Sequence, residues 1–144
     1  MFSGTYRFRV DAKGRLAIPV RFRGELPVGS HISIGPETAL VIYPPDEWAR
    51  LGQQLPAPLS ATPEQRTLVR LLNSLAIPAE FDAQGRVTLS QEQRRWAGIE
   101  PNSTVAVIGA GSVVEIWPEA RWDSYQGDAL SGFTETVNRV IQRS

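Results

Sequence analysis

Apolar and polar positions alternate from Thr5 to Val10: Tyr6, Phe8 and Val10 fall on one face and Arg7 and Arg9 on the other. Period two is the signature of a half-buried strand. The turn Asp11-Ala-Lys-Gly14 follows, its glycine suited to a left-handed backbone. A short strand Arg15-Leu-Ala-Ile18 comes next, then a short helix with Pro19 in its first turn. Strands near 31–35 and 39–43 complete the unit. The succession then returns. Asp82-Ala-Gln-Gly-Arg86 repeats Asp11-Ala-Lys-Gly-Arg15 at an offset of 71. Ala106-Val-Ile-Gly109 matches Ile32-Ser-Ile-Gly35, and Glu115-Ile-Trp-Pro-Glu-Ala-Arg-Trp122 matches Val41-Ile-Tyr-Pro-Pro-Asp-Glu-Trp48, both at an offset of 74. Matches in the same order mark a duplication. The second copy carries three extra residues around 98–102.

The copies read as units 5–48 and 76–122, joined by a linker and helix over 49–75 and followed by a helical segment over 123–144. Pro78 interrupts the first strand of copy two and predicts an edge or a bend there. Further strands are expected near 104–108 and 112–117. Ser90 with Gln93, and Thr62 with Gln65, fit capping boxes at two helix starts. Another helix starts at Pro45, and 55–63 is a stiff proline-rich connection. Leu130, Phe133, Val137, Val140 and Ile141 recur at helical spacing, giving one apolar face to dock on this chain or a neighbouring subunit. Each unit, at about 45 residues, is too small for a self-sufficient core. One shared core with pseudo-twofold symmetry, an interlocked β-barrel built from both copies, is the expected solution.

Composition narrows the chemistry. The chain has 144 residues, no cysteine and a single histidine, His31. These exclude a disulfide framework, a thiolate metal site, a thiol nucleophile and a multi-histidine metal site. No apolar run approaches the roughly 18–20 residues of a membrane helix, and the N-terminus lacks a signal-peptide stretch. A soluble cytoplasmic protein is expected. Acidic pairs such as Asp46-Glu47 sit at a helix start, where they complement the helix dipole. Tyr43, Trp48, Trp117 and Trp122 recur in both copies and read as core. No catalytic constellation, metal site, cofactor or small-molecule substrate is expected.

Formal charge is zero, with 15 basic and 15 acidic side chains, but its distribution is uneven. Residues 1–25 hold six cations against Asp11 and Glu25. Lys13 is the only lysine, and arginine forms the planar, bidentate bonds that suit phosphate or guanine. If each turn closes a local hairpin through a glycine bulge, Phe8 faces Leu16, Tyr6 faces Ile18 and Arg9 faces Arg15. Copy two then pairs Glu80 with Arg86, which neutralises itself. Like charges directly opposite are unfavourable, so Arg9 and Arg15, with Arg7 and Lys13 nearby, await an anion. If strands exchange between units, this pairing changes.

Two Asp-Ala-Xaa-Gly-Arg turns at this spacing, the Val-Ile-Tyr-Pro and Glu-Ile-Trp-Pro strands and the tryptophan-bearing helices resemble the MraZ family over essentially the whole chain. The resemblance implies a mixed α+β fold: two AbrB-like (SpoVT-AbrB) swapped-hairpin β-barrel halves with pseudo-twofold symmetry, plus flanking helices. It implies a DNA-binding transcriptional regulator, typically a repressor of its own operon within the division and cell-wall gene cluster. A ring-shaped homo-oligomer on tandem promoter repeats, cytoplasmic and nucleoid-associated, belongs to the same implication. Carried over, Arg15 and Arg86 contact DNA, while Asp11, Gly14, Asp82 and Gly85 shape the turns. Lys13, Arg7 and Arg9, with Arg21 or Arg23, would add phosphate contacts. Gln84 in place of Lys13, and Ser90 in place of Pro19, set copy two apart. The competing readings are a ring-forming scaffold or antitoxin-like interaction module using the terminal helix, and an enzyme using Asp11 or Asp82 as acid or base.

Overall fold

The computed structural model describes residues 1–141, so residues 142–144 of the terminal segment lie outside the described residues. Its strands are β1 (Thr5–Arg9), β2 (Arg15–Ala17), β3 (His31–Ile34), β4 (Leu40–Tyr43), β5 (Ile77–Pro78), β6 (Arg86–Thr88), β7 (Thr104–Gly109) and β8 (Val114–Pro118). The helices are α1 (Val20–Arg23), α2 (Pro45–Gln54), α3 (Pro63–Ser74), α4 (Gln91–Ala97), α5 (Glu119–Ser131) and α6 (Phe133–Val140). This is a mixed α+β fold. Six strands form one antiparallel sheet in the order β1-β7-β8-β4-β3-β5, and β2 and β6 form a separate two-stranded ribbon.

The repeats exchange strands. β1 pairs with β7 of the second copy, Phe8 opposite Val105 and Arg9 opposite Thr104, and β5 pairs with β3 of the first. The local-hairpin pairing is therefore overturned: Arg9 does not face Arg15, and Phe8 does not face Leu16. In each copy the strand that precedes the turn pairs with a strand of the other copy. Equivalent strands meet at two places. Leu16 lies opposite Val87 in the ribbon, and Val41 opposite Glu115 where β4 meets β8. These pairs match at offsets of 71 and 74, as a local twofold between the copies requires.

The core is contributed by both copies: Leu16, Ile18, Phe22, Ile32, Ile42, Val87, Leu89, Val105, Val107 and Ile116 are buried in one cluster. Both capping boxes form. Thr62 and Gln65 satisfy each other's backbone N–H groups, as do Ser90 and Gln93. Pro19 stands at the N-cap of α1 rather than inside it. β5 is a two-residue edge strand, since Pro78 has no N–H to extend the ladder. The terminal segment departs from expectation. The helix begins at Glu119, directly after β8, and breaks at Gly132 into α5 and α6. Leu130, Phe133 and Val140 remain exposed.

The short helices α1 and α4 are anchored differently at equivalent positions. Phe22 is 1% exposed and packs edge-on against Phe2 and Tyr6, with ring centroids 5.5 and 5.4 Å away. Its counterpart Gln93 is fully buried and donates through Nε2 to the carbonyl oxygens of Ile32 (3.1 Å) and Leu75 (2.7 Å). An apolar ring and a fully bonded amide do the same job, because every polar atom of the buried amide has a partner.

Candidate nucleic-acid interface

Each Asp-Ala-Xaa-Gly-Arg turn is built by its own aspartate. Asp11 Oδ1 accepts the backbone N–H groups of Lys13 (2.9 Å) and Arg15 (2.8 Å), and Oδ2 accepts Nε–H of Arg15 at 2.6 Å. Asp82 repeats this, with Gln84 and Arg86 N–H at 2.9 Å each and Arg86 Nε at 2.9 Å. Short polar side chains capture backbone in this way because the geometry is local. Gly14 and Gly85 take φ of 81° and 76°, in the left-handed region. Their Cα atoms are also crowded: a Cβ on Gly14 would lie 2.6 Å from the Leu89 carbonyl oxygen and 2.8 Å from Arg94 Nε. A Cβ on Gly85 would strike the Arg23 guanidinium.

The ribbon brings both turns together. Its register sets Arg15 opposite Thr88 and Arg86 opposite Ala17, so these four residues share the outer face, while Leu16 and Val87 are buried on the inner face. Arg86 Nη1 also lies 3.8 Å from Asp11 Oδ2. Arg23 of α1 and Arg94 of α4 are repeat-equivalent, and each packs over the turn glycine of the other copy. Arg94 was not among the residues the sequence pointed to; its equivalence with Arg23 at an offset of 71 is the signal that would have found it. Arg15 and Arg86 are thus paired with the two turn carboxylates, Arg23 and Arg94 pack on the turn glycines, and Lys13 stands exposed on the first turn.

The other expected cations separate. Arg7 is engaged by α5, at 2.9 Å from Glu119 and 2.8 Å from Asp123. Arg21 donates to the Tyr6 hydroxyl at 3.2 Å. Lys13 and Arg9 are exposed, and among the described residues their side chains have no hydrogen bond or ion pair. Trp122 and Tyr125 of α5 cluster with Trp117 of β8, and His31 stacks on Trp48 at 5.0 Å.

Hydrogen bonds hold both turn aspartates below the usual carboxylate range, the backbone N–H of Arg15 contributing most for Asp11 and that of Arg86 for Asp82. A carboxyl whose folded value is depressed contributes stability above its unfolded value, about 3.9, and loses it as pH falls through the folded value. The melting temperature followed against pH is therefore expected to fall below about pH 4, and less steeply in an Asp11→Asn/Asp82→Asn variant. Equal acid slopes would contradict this account.

The family model described as "MraZ protein, putative antitoxin-like" matches the chain twice, over residues 1–71 and 75–144. The chain belongs to the MraZ family. The transcriptional regulator MraZ of Kocuria rhizophila is 40% identical over 142 residues, covering 98% of this chain and 97% of its own. Those of Nocardia farcinica and Corynebacterium diphtheriae are 38% and 37% identical over 141 residues, with the same coverage of both chains. No helix among the described residues is long and apolar enough to cross a membrane.

Proposed function

We propose that this MraZ-family chain is a sequence-specific, DNA-binding transcriptional regulator that inserts the β2–β6 ribbon into the major groove. The carrying observation is the ribbon itself, with two aspartate-braced arginines on its outer face and an apolar inner face on the core. The major groove admits a two-stranded ribbon, and arginine reads guanine O6 and N7 there. Lys13, Arg9 and Arg23 supply phosphate contacts that set register; Arg7, held by two carboxylates, contributes less. The exchange of strands between copies supports the AbrB-like swapped-hairpin barrel implied by the family resemblance. The reading extends to repression of its own operon in the division and cell-wall cluster, by a homo-oligomeric ring on tandem repeats, in the cytoplasm and on the nucleoid. It has no catalytic step.

With few cations per chain, one chain on one repeat binds weakly and with strong salt dependence. Assembly compensates, because linked sites raise avidity by roughly 10²–10⁴ where repeats match subunit spacing. Binding of the purified protein to fragments from upstream of its own gene, trimmed from several repeats to one, tests this across a salt series. Equal affinity for one repeat and for three would contradict the tandem-repeat reading.

The alternative, a scaffold or antitoxin-like module, is favoured by the α6 face, where Phe133 and Val140 are 62% and 69% exposed. Deletion of 129–144 separates the readings: a scaffold loses its partner, whereas a DNA-binding protein mainly loses assembly.

A further inference from the structure

Helix α5 carries a pair of carboxylates that its own docking does not need. Glu119 and Asp123 stand one turn apart and face the same side of the helix. Both meet Arg7 of β1, which donates through Nη1 to Glu119 at 2.9 Å and through Nη2 to Asp123 at 2.8 Å. Nη1 also lies 3.4 Å from the second Asp123 oxygen, so both ends of the fork are engaged. Other contacts fix α5. Trp122 and Tyr125 pack with Trp117 of β8, and Arg121 donates to the carbonyl oxygens of Glu37 (2.9 Å), Thr38 (2.9 Å) and Ala97 (3.1 Å). The other copy docks its equivalent helix without any such clasp. Pro45 and Ala49 of α2 stand where the two carboxylates would be, at an offset of 74, and Pro78 of β5 replaces the arginine, at an offset of 71. Arg9 lies two residues along β1 on the same face, about 7 Å from Arg7, and is exposed with no ion pair among the described residues.

We propose that Glu119 and Asp123 withhold Arg7 from the DNA backbone and so set the strength of sequence-independent binding. This rests on the DNA-binding reading above and adds two residues that govern it from outside the ribbon. The Arg7 side chain is 40% exposed, so a phosphate oxygen can reach the guanidinium that the carboxylates hold. The clasp sets one positive charge against two negative ones, and it repels a phosphate until Arg7 leaves it. Each chain therefore offers the backbone fewer cations than β1 displays. Tight binding then falls to base contacts and to several chains engaging together.

The test measures the full-length protein on two duplexes, the fragment upstream of its gene and an unrelated one of equal length, across a salt series. Glu119→Gln/Asp123→Asn keeps the shape of both side chains and removes their charge. It should bind both duplexes about threefold or more tightly at low salt, with a log–log salt slope steeper by about 0.9, the value of one further phosphate contact. Asp128→Asn/Glu135→Gln removes the same charge farther along α5 and α6, from carboxylates with no ion pair among the described residues, and should leave the slope as it is. Arg7→Ala should cancel the gain in the Glu119→Gln/Asp123→Asn protein and cost the wild type less, a coupling that a double-mutant cycle reads directly. In the wild type alone, where no clasp variant has to fold, Arg9→Ala should weaken binding more than Arg7→Ala. An unchanged slope without the clasp, the same steepening in the Asp128→Asn/Glu135→Gln control, or a gain that survives Arg7→Ala would each overturn the proposal. So would an Arg7→Ala loss in the wild type as large as that of Arg9→Ala. If the folded wild type binds neither duplex at low salt, the DNA-binding reading falls and takes the proposal with it. Wild-type preference for the upstream fragment beside any of the overturning results sinks the proposal alone.

Discussion

Replacing Arg15 with alanine is expected to abolish preferential binding to the fragment upstream of the gene while leaving the fold intact. A good bidentate arginine–guanine contact is worth about 1–3 kcal/mol of discrimination. In an assembly that engages several repeats, that loss recurs at each one, so the net effect exceeds a single contact. Arg15 outranks Arg86 for two reasons. It is paired with one carboxylate where Arg86 lies near two, and its turn carries Lys13 where the other carries Gln84. Stability should change little, because a partly exposed ion pair contributes at most about 1 kcal/mol, equivalent to about 4 °C in melting temperature. Gel-shift titration against unrelated competitor DNA, beside a melting curve, measures both quantities. Undiminished preference in the variant would remove Arg15 from the interface.

The second large effect is on stability. Phe22→Ala should cost about 3–5 kcal/mol and lower the melting temperature by roughly 10 °C or more. Phe22 is the only buried residue of a four-residue helix, so nothing else on α1 replaces its contacts with Phe2 and Tyr6. Against total stabilities of about 5–15 kcal/mol this is a large fraction. Arg23 rides on the same turn of helix and packs over Gly85, so loss of the anchor also releases a cation from the second turn. Denaturant unfolding checks the magnitude, and a change below about 1 kcal/mol would mean the cavity collapses around its neighbours.

The elements that could be read from the chain are those whose bonds are local. Thr62 with Gln65 and Ser90 with Gln93 reach three residues along, and Asp11 and Asp82 reach two to four. Each declares its geometry by residue type and spacing alone. The duplication was equally legible, since it is a property of the string, and it carried the shared core with it because neither copy buries enough surface by itself. Alternation correctly placed Tyr6, Phe8 and Val10 on an inward face without saying which strand covers them.

That choice of partner belonged to the tertiary structure. Hydrogen bonding in a β-ladder is the same whether β1 pairs with its own β2 or with β7, so no local pattern distinguishes them. Everything that depends on the exchange was hidden with it: the opposition of Arg9 and Thr104, the approach of Arg86 to Asp11, and the packing of Arg94 over Gly14. Arg7 looked available for DNA because its carboxylate partners lie 112 and 116 residues away. The sequence by itself determined two braced arginine turns and the helices around them. Only the burial of both copies in one core decided that the turns stand side by side, since that juxtaposition is fixed by long-range packing and not by any bond a single turn can make.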